Sequence, residues 1–405
     1  MPTRRGFLGG LTATTALTVS PGSVQFAFGA AAGEARFVVV ILRGGMDGLA
    51  AVAPYGERAY RRQRGDLALP APGAPDGLLD LDGQFGLHPA LESLAPFYAR
   101  GELAIAHAVG IPYRDRSHFD AQNVLENGTD KPHSTADGWL NRAIAALQPG
   151  GAAAGLAVGA NVPLIMRGDS RYTTYAPQRL PDIGGDFVTR LRNMYAQDDQ
   201  LAKVLAEALK AKEMREGVLG RQRGGMGRGN AGSGAFYREA FGAAGKLLAD
   251  ANGPRVAVLD TDGWDTHAFQ GTTQGVLATQ FGYLNEGLAS LHDGLAAAWR
   301  QSVVLVVSEF GRTAAINGTK GTDHGTGGVA LLLGGAVAGG RMVTPWPGLE
   351  TRQLYEGRDL AVATDVRGLF KGVLRDHLGI AEGHIEDVVF PNSRDASAIG
   401  GLIRA

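Results

Sequence analysis

The 405-residue sequence contains no cysteine. That absence excludes a disulfide framework, a thiolate zinc site, an iron–sulfur cluster and a cysteine nucleophile. Net charge is also lacking: 39 Lys and Arg stand against 40 Asp and Glu, a formal balance of −1. Nucleic-acid binding by phosphate neutralisation has no basis in such a chain. Long apolar runs are missing too, none reaching the roughly 18 residues of a membrane helix. Disorder is excluded by what is present, 44% hydrophobic residues with charges of both signs throughout. Glycine is the one residue in excess, 61 copies without a collagen-like period, which predicts many tight turns and close backbone approaches.

Near the N-terminus, Thr3-Arg4-Arg5-Gly6-Phe7-Leu8 resembles the twin-arginine export motif. A weakly apolar stretch broken by Gly, Thr, Ser and Pro follows. Ala30-Ala31-Ala32 then offers the small residues that suit a signal peptidase. Residues 1–32 are therefore expected to be a twin-arginine signal peptide, with the twin-arginine translocase as partner during export. A periplasmic or otherwise extracytoplasmic protein without a stable membrane span follows. Residues 33–405 are expected to form a single domain. Twin-arginine export carries folded cargo, which suits a protein that acquires a metal before it leaves.

Short apolar runs recur at Phe37–Leu42, Leu103–His107, Leu164–Met166, Arg255–Leu259, Val303–Val307 and Val329–Leu333. They are continuous rather than alternating, as in strands buried on both faces of a largely parallel sheet. Helical patterns lie between them, at about 89–100, 119–128, 136–147, 186–215, 236–250, 272–299 and 364–378. The alternation predicts a three-layer α/β/α sandwich around a mostly parallel, doubly wound sheet. The Gly- and Arg-rich stretch 220–234 lacks any period and is expected to be a mobile surface loop, with anion binding as its functional alternative.

Ligands of open α/β sheets bind beyond the carboxyl ends of the strands, so the polar residues after each apolar run are the candidates. Asp47, in Arg43-Gly44-Gly45-Met46-Asp47-Gly48, either supports a turn or offers a metal-binding carboxylate. Ser117 precedes a helical pattern with Asp120 three residues on, so it can cap the helix and serve as a nucleophile at the helix's positive end. Arg114 and Arg116 beside it add anion-binding capacity. Asp260, Asp262, Asp265 and His267 fall within eight residues, a density of oxygen and nitrogen donors that suits a divalent metal. Glu309 and Arg312 follow the next run, as site residues or as an ion pair bracing a turn. His324, in a Gly-rich stretch, is a candidate metal ligand or acid–base group. His88, His292 and His377 read as structural or surface residues, and His107 and His118 stand between the two groups.

These residues carry a resemblance. VVVILRGGMDGL, FGLHPAL, IPYRDRSHFDAQ, GWDTHAFQ, SEFGRT and DHGTGG, spread from about residue 37 to 390, resemble the bacterial domain-of-unknown-function 1501 family. That family is placed with the alkaline phosphatase-like superfamily of phosphatases, sulfatases and phosphoglycerate mutases. The resemblance implies an alkaline phosphatase-like fold and a metal-assisted hydrolase site. Asp47 would match the Asp after the first strand and Ser117 the nucleophile at a helix N-terminus. Asp265 and His267 would match an Asp and His of a later loop, and His324 a late His. Two departures stand out: Asp265 and His267 are only two apart, and Phe310 follows Glu309 where the superfamily has an imidazole. The Cys- or Ser-x-Pro-x-Arg sequence that matures to formylglycine is absent, which argues against ordinary sulfatase chemistry.

The expected function is that of an exported metal-dependent hydrolase of phosphate or sulfate esters. Asp47, Asp265, His267, Glu309 and His324 would hold a divalent cation (Zn, Mn or Ca). Ser117 and His324 would do the chemistry, with Arg116 and Arg312 offsetting charge on the transferred group. The substrate class is an anionic small-molecule or polysaccharide ester. The alternatives are an exported binding or assembly protein that keeps the fold without turnover, and a metal-bound lyase or transferase acting on envelope polysaccharide.

Overall fold

The computed structural model describes residues 35–147, 154–177, 185–195, 198–219 and 233–404. The twin-arginine stretch and residues 220–232 of the Gly/Arg-rich stretch lie outside them. Ser233 and Gly234 are described, as the cap and first residue of a helix.

Twelve strands are present among the described residues. In chain order they are β1 (Arg36–Leu42), β2 (Val52–Ala53), β3 (Leu79–Asp80), β4 (Gly86–Leu87), β5 (Leu103–Gly110) and β6 (Gly155–Val158). There follow β7 (Tyr172–Tyr175), β8 (Val256–Thr261), β9 (Ser302–Val307), β10 (Gly328–Leu333), β11 (Arg341–Met342) and β12 (Thr364–Asp365). Nine strands form one sheet in the order β11-β5-β10-β9-β1-β8-β6-β7, with β12 also on β5; β2, β4 and β3 form a small second sheet.

The apolar runs are continuous because both faces of the sheet are covered. In β1, Val38, Val40 and Leu42 pack towards the helices Gly234–Ala249 and Val276–Leu295. Phe37, Val39 and Ile41 pack on the opposite side with residues of His118–Asn127, Trp139–Leu147 and Val366–Asp376. This is the expected three-layer α/β/α arrangement, with β1 central and strands added on both sides. No helix among the described residues is long and apolar enough to cross a membrane.

Three expectations need correction. Leu164–Met166 is a 3₁₀ turn, not a strand: Pro163 precedes it, and the Met166 and Arg167 amides bond back to Pro163 and Leu164. Three apolar residues satisfy either conformation, and the strands of that region are β6 and β7 instead. The long pattern at 186–215 is two helices, Gly185–Tyr195 and Asp199–Leu219. Finally, β10 runs antiparallel to both neighbours, whereas β1, β8, β9, β6 and β7 are mutually parallel. A continuous apolar run reports burial on both faces and says nothing of direction. The reversal matters for the site, because it returns the segment before β10 to the sheet end where β9 exits.

Candidate metal centre

Five segments meet at that end. The turn after β9 (Ser308–Arg312) lies against the approach to β10, with the Gly325 amide on the Gly311 carbonyl at 2.9 Å. A Cβ on Gly311 would stand 1.8 Å from the Gly327 carbonyl oxygen, so only glycine admits this approach. The turn after β1 presses its backbone on the loop after β8. Gly44 has φ +123°, and a Cβ there would lie 2.5 Å from the Asp265 nitrogen. His118 enters from the β5 side as the first residue of its helix.

Three imidazoles converge on one carboxylate. His324 Nδ1 donates to the Arg116 carbonyl at 2.9 Å, and His118 Nδ1 to Glu309 Oε1 at 2.7 Å. His267 Nδ1 faces Asp323 Oδ1 at 3.3 Å. Each Nδ1 thus meets an acceptor, which assigns it the proton and, in the neutral ring, leaves a lone pair on Nε2. The Nε2 atoms of His267 and His324 lie 2.9 and 3.2 Å from Asp265 Oδ1 and 2.9 Å from each other. His118 Nε2 lies 3.4 Å from Asp265 Oδ2, is buried, and has no hydrogen-bond partner. Arg312 Nη1 donates to Asp265 Oδ1 at 2.6 Å.

In these neutral tautomers lone pairs face one another at hydrogen-bond distances, an arrangement that a positive centre between them would stabilise. His118, Asp265 and His324 each offer one ligand atom, all within 4.8 Å of one another. Two imidazole nitrogens and a carboxylate oxygen suit zinc or manganese. The acceptors behind the rings are the outer contacts that fix metal-binding imidazoles. Asp265 and His267 are exposed at 41% and 45%, so one side of the cluster stays open to solvent.

The electrostatics are divided. The hydrogen bond to Glu309 leads in raising the His118 pKa, whereas burial leads in lowering that of His324. Burial alone would raise Glu309, but hydrogen bonds from His118, Gln122 and backbone amides outweigh it and hold the carboxyl below its usual range. Burial likewise pushes Asp265 up, and the bond and charge of Arg312 bring it down.

Of the residues singled out from the sequence, Asp265, His267, His324 and Arg312 come together. Glu309 is fully buried behind His118, its Oε1 spent on His118, Gln122 and the Gly44 amide. Ser117 occupies the N-cap position beside His118, yet its hydroxyl makes no capping bond. Asp120, the expected partner in a cap, faces Tyr113 and His133. Arg116 contributes its carbonyl, and its guanidinium turns to Asp359 and Glu356. Arg312 pairs with Asp265 rather than with Glu309. Asp47 is not among the converging donors: it caps the Gly48–Ala51 helix, pairs with buried Arg64 and accepts from Gln270. His118 is the residue least visible in the sequence. Its signal is the position after β5 at the start of a helix, beside Ser117. It also explains Phe310, whose ring packs on His118 and His324 at 4.8 and 5.1 Å while His118 supplies the imidazole against Glu309.

Residues 34–389 match the family described as "Protein of unknown function (DUF1501)". No curated protein sequence matches the chain. Among solved structures, the chain is similar to the C-terminal periplasmic domain of EptC from Escherichia coli, in complex with Zn. Identity there is 11%, coverage 76% of each chain and TM-score 0.37. The lipoteichoic acid synthase LtaP from Listeria monocytogenes matches at 10% identity over 92% of this chain and 78% of that one, TM-score 0.37. Phosphonoacetate hydrolase from Sinorhizobium meliloti 1021, in complex with phosphonoformate, matches at 15% identity over 71% and 57%, TM-score 0.30.

Proposed function

The chain belongs to the DUF1501 family, and we propose that it is a metal-dependent hydrolase of phosphate or sulfate esters, exported by the twin-arginine route to an extracytoplasmic site. His118, Asp265 and His324 would hold the cation, with His267 beside them. Bound there, a divalent cation supplies a Lewis acid for the ester oxygen and lowers the pKa of a hydroxyl or water. The chain's own groups do the rest. Glu309 and the Arg116 carbonyl hold the Nδ1 protons of His118 and His324, and Arg312 fixes the Asp265 carboxylate. The Ser117 hydroxyl stands at the positive end of a ten-residue helix, uncommitted to a cap, as a nucleophile must be. Asp47 would hold no cation, its oxygens being engaged by two helix amides, Arg64 and Gln270. The substrate class is an anionic ester of a small molecule or a polysaccharide.

The observation that carries this reading is the His118 Nε2, buried and without a hydrogen-bond partner, facing Asp265 at 3.4 Å and flanked by His324. Metal analysis of the exported protein, followed by a screen of phosphate and sulfate esters with and without chelator, tests it. A stoichiometric divalent metal and chelator-sensitive turnover are expected. Protein without metal, equally stable in chelator, would overturn the cation site.

One contact favours a second reading. Arg312 Nη1 already places a positive charge on the Asp265 oxygen that faces His267 and His324. A binding or assembly protein that keeps the fold without turnover would need no more. Ester hydrolysis abolished by His324→Ala and Ser117→Ala, with folding retained, excludes that alternative.

A further inference from the structure

We infer that Glu309 is a positioning residue, not a ligand, and that Arg43 and Gln122 lock it into selecting the tautomer of His118. The inference concerns the metal site proposed above and rests on reading His118 Nε2 as a ligand atom there.

His118, Gln122 and Glu126 are spaced by four on one helix and so share a face. Arg43, leaving β1, reaches that face. Its Nη1 donates to Gln122 Oε1 at 3.0 Å and to Glu126 Oε1 at 2.8 Å, while its Nε holds Asp260 Oδ2 at 2.7 Å. A guanidinium can only donate, so the Gln122 atom facing it is the oxygen. The Gln122 amide nitrogen is thereby turned to Glu309 Oε1, 3.0 Å away. The same Oε1 takes the Gly44 amide at 2.9 Å. Two fixed donors and full burial leave Glu309 Oε1 an acceptor only. The remaining neighbour, His118 Nδ1 at 2.7 Å, must then be a protonated nitrogen, and in the neutral ring Nε2 carries the lone pair. None of these heavy atoms is free to reverse its role, because the series of bonds begins at an arginine. Nothing in it places a Glu309 oxygen among the ligand atoms: the donor cluster is His118, Asp265 and His324, and Oε2 faces the Ser308 hydroxyl at 2.9 Å, whose proton is shared with the Leu42 carbonyl at 2.6 Å.

The test uses the full-length, metal-free protein with ¹⁵N-labelled histidine, above the imidazole titration range, His118 being assigned by its loss in His118→Gln. The wild type should show His118 protonated at Nδ1. Glu309→Ala should populate the Nε2-protonated form and weaken binding of zinc ion about 10–100-fold. Glu309→Gln keeps a carbonyl acceptor and should restore the tautomer and most of the affinity. Should Glu309→Ala fold poorly, Gln122→Leu should move both readouts in the same direction by less. An unchanged tautomer in Glu309→Ala overturns the inference. So does zinc binding lost in Glu309→Gln as completely as in Asp265→Ala, which would make Glu309 a ligand. A wild type that binds no zinc yet shows the Glu309-dependent tautomer sinks the metal reading and leaves the positioning role standing.

Discussion

Asp47 and Asp265 look alike in the sequence and differ in the fold. Both follow a buried strand in a glycine-bearing turn. Asp47 is 1% exposed, and its oxygens are taken by two helix amides, Arg64 and Gln270. Asp265 is 41% exposed; it too has an arginine, but its oxygens also face three imidazoles, one of which turns to it a buried Nε2 without a hydrogen-bond partner. The first is a carboxylate whose bonding is complete, the second one whose surroundings are incomplete. Proximity to a strand end creates the opportunity for a site, and unmatched bonding capacity distinguishes a site from a brace.

The contrast is tested most severely at Arg64, whose side chain is fully buried against Asp47. Arg64→Met leaves a buried carboxylate without its cation and should cost about 3–5 kcal/mol in denaturant unfolding. It should leave metal content per folded molecule unchanged. A loss of metal in folded Arg64→Met would break the division between the two regions.

The same contrast holds between imidazoles. His107 is buried with both nitrogens matched, Nε2 to the Val52 carbonyl and Nδ1 to the Ala108 amide. Burial lowers its pKa from 6.5 to about 4. With the folded value below the unfolded one, the unfolded chain binds the proton first as pH falls. The neutral ring's contribution is therefore complete above pH 6.5 and is lost between there and about 4. About 3 kcal/mol of stability should disappear across that window. His107→Gln, which cannot titrate, should flatten that part of the profile. An equal slope in wild type and variant would show that His107 is not the group responsible.

Much of the scaffold is legible in the sequence because burial on both sheet faces leaves unbroken apolar runs, as in β1, β8, β9 and β10. The loops after β8 and before β10 announce themselves by the density of donors around Asp265, His267 and His324. What is not legible depends on strand order. Glu309 could be read as pairing with nearby Arg312, but its partner is His118, 191 residues away, because β5, β10 and β9 are neighbours. The direction of β10 is equally silent in its composition, and it decides where His324 arrives. Asp47 could be read as a brace or as a ligand, and only the position of Arg64 in space separates the two.

On the unmatched side, the effect sought is a gain of stability from binding. At cation concentrations about 100 times the dissociation constant, a site that exists only in the folded state adds about 2.7 kcal/mol. Wild type should show that gain in thermal unfolding on adding zinc ion, and His324→Ala should not. A zinc effect of the same size in both would place the bound cation elsewhere.

The smallest effect is the most pointed, because it compares two serines in the same helical position. Ser233 caps its helix, its Oγ accepting from the Phe236 amide, whereas the Ser117 hydroxyl caps nothing. Loss of a true cap costs about 1 kcal/mol, so Ser233→Ala should lower stability by that amount and leave ester hydrolysis intact. Ser117→Ala should change stability by less than about 0.5 kcal/mol and abolish hydrolysis. Both quantities come from one pair of variants, an unfolding curve and a rate. If Ser117→Ala destabilises like Ser233→Ala and turns over like wild type, Ser117 is a cap after all, and the nucleophile must be water.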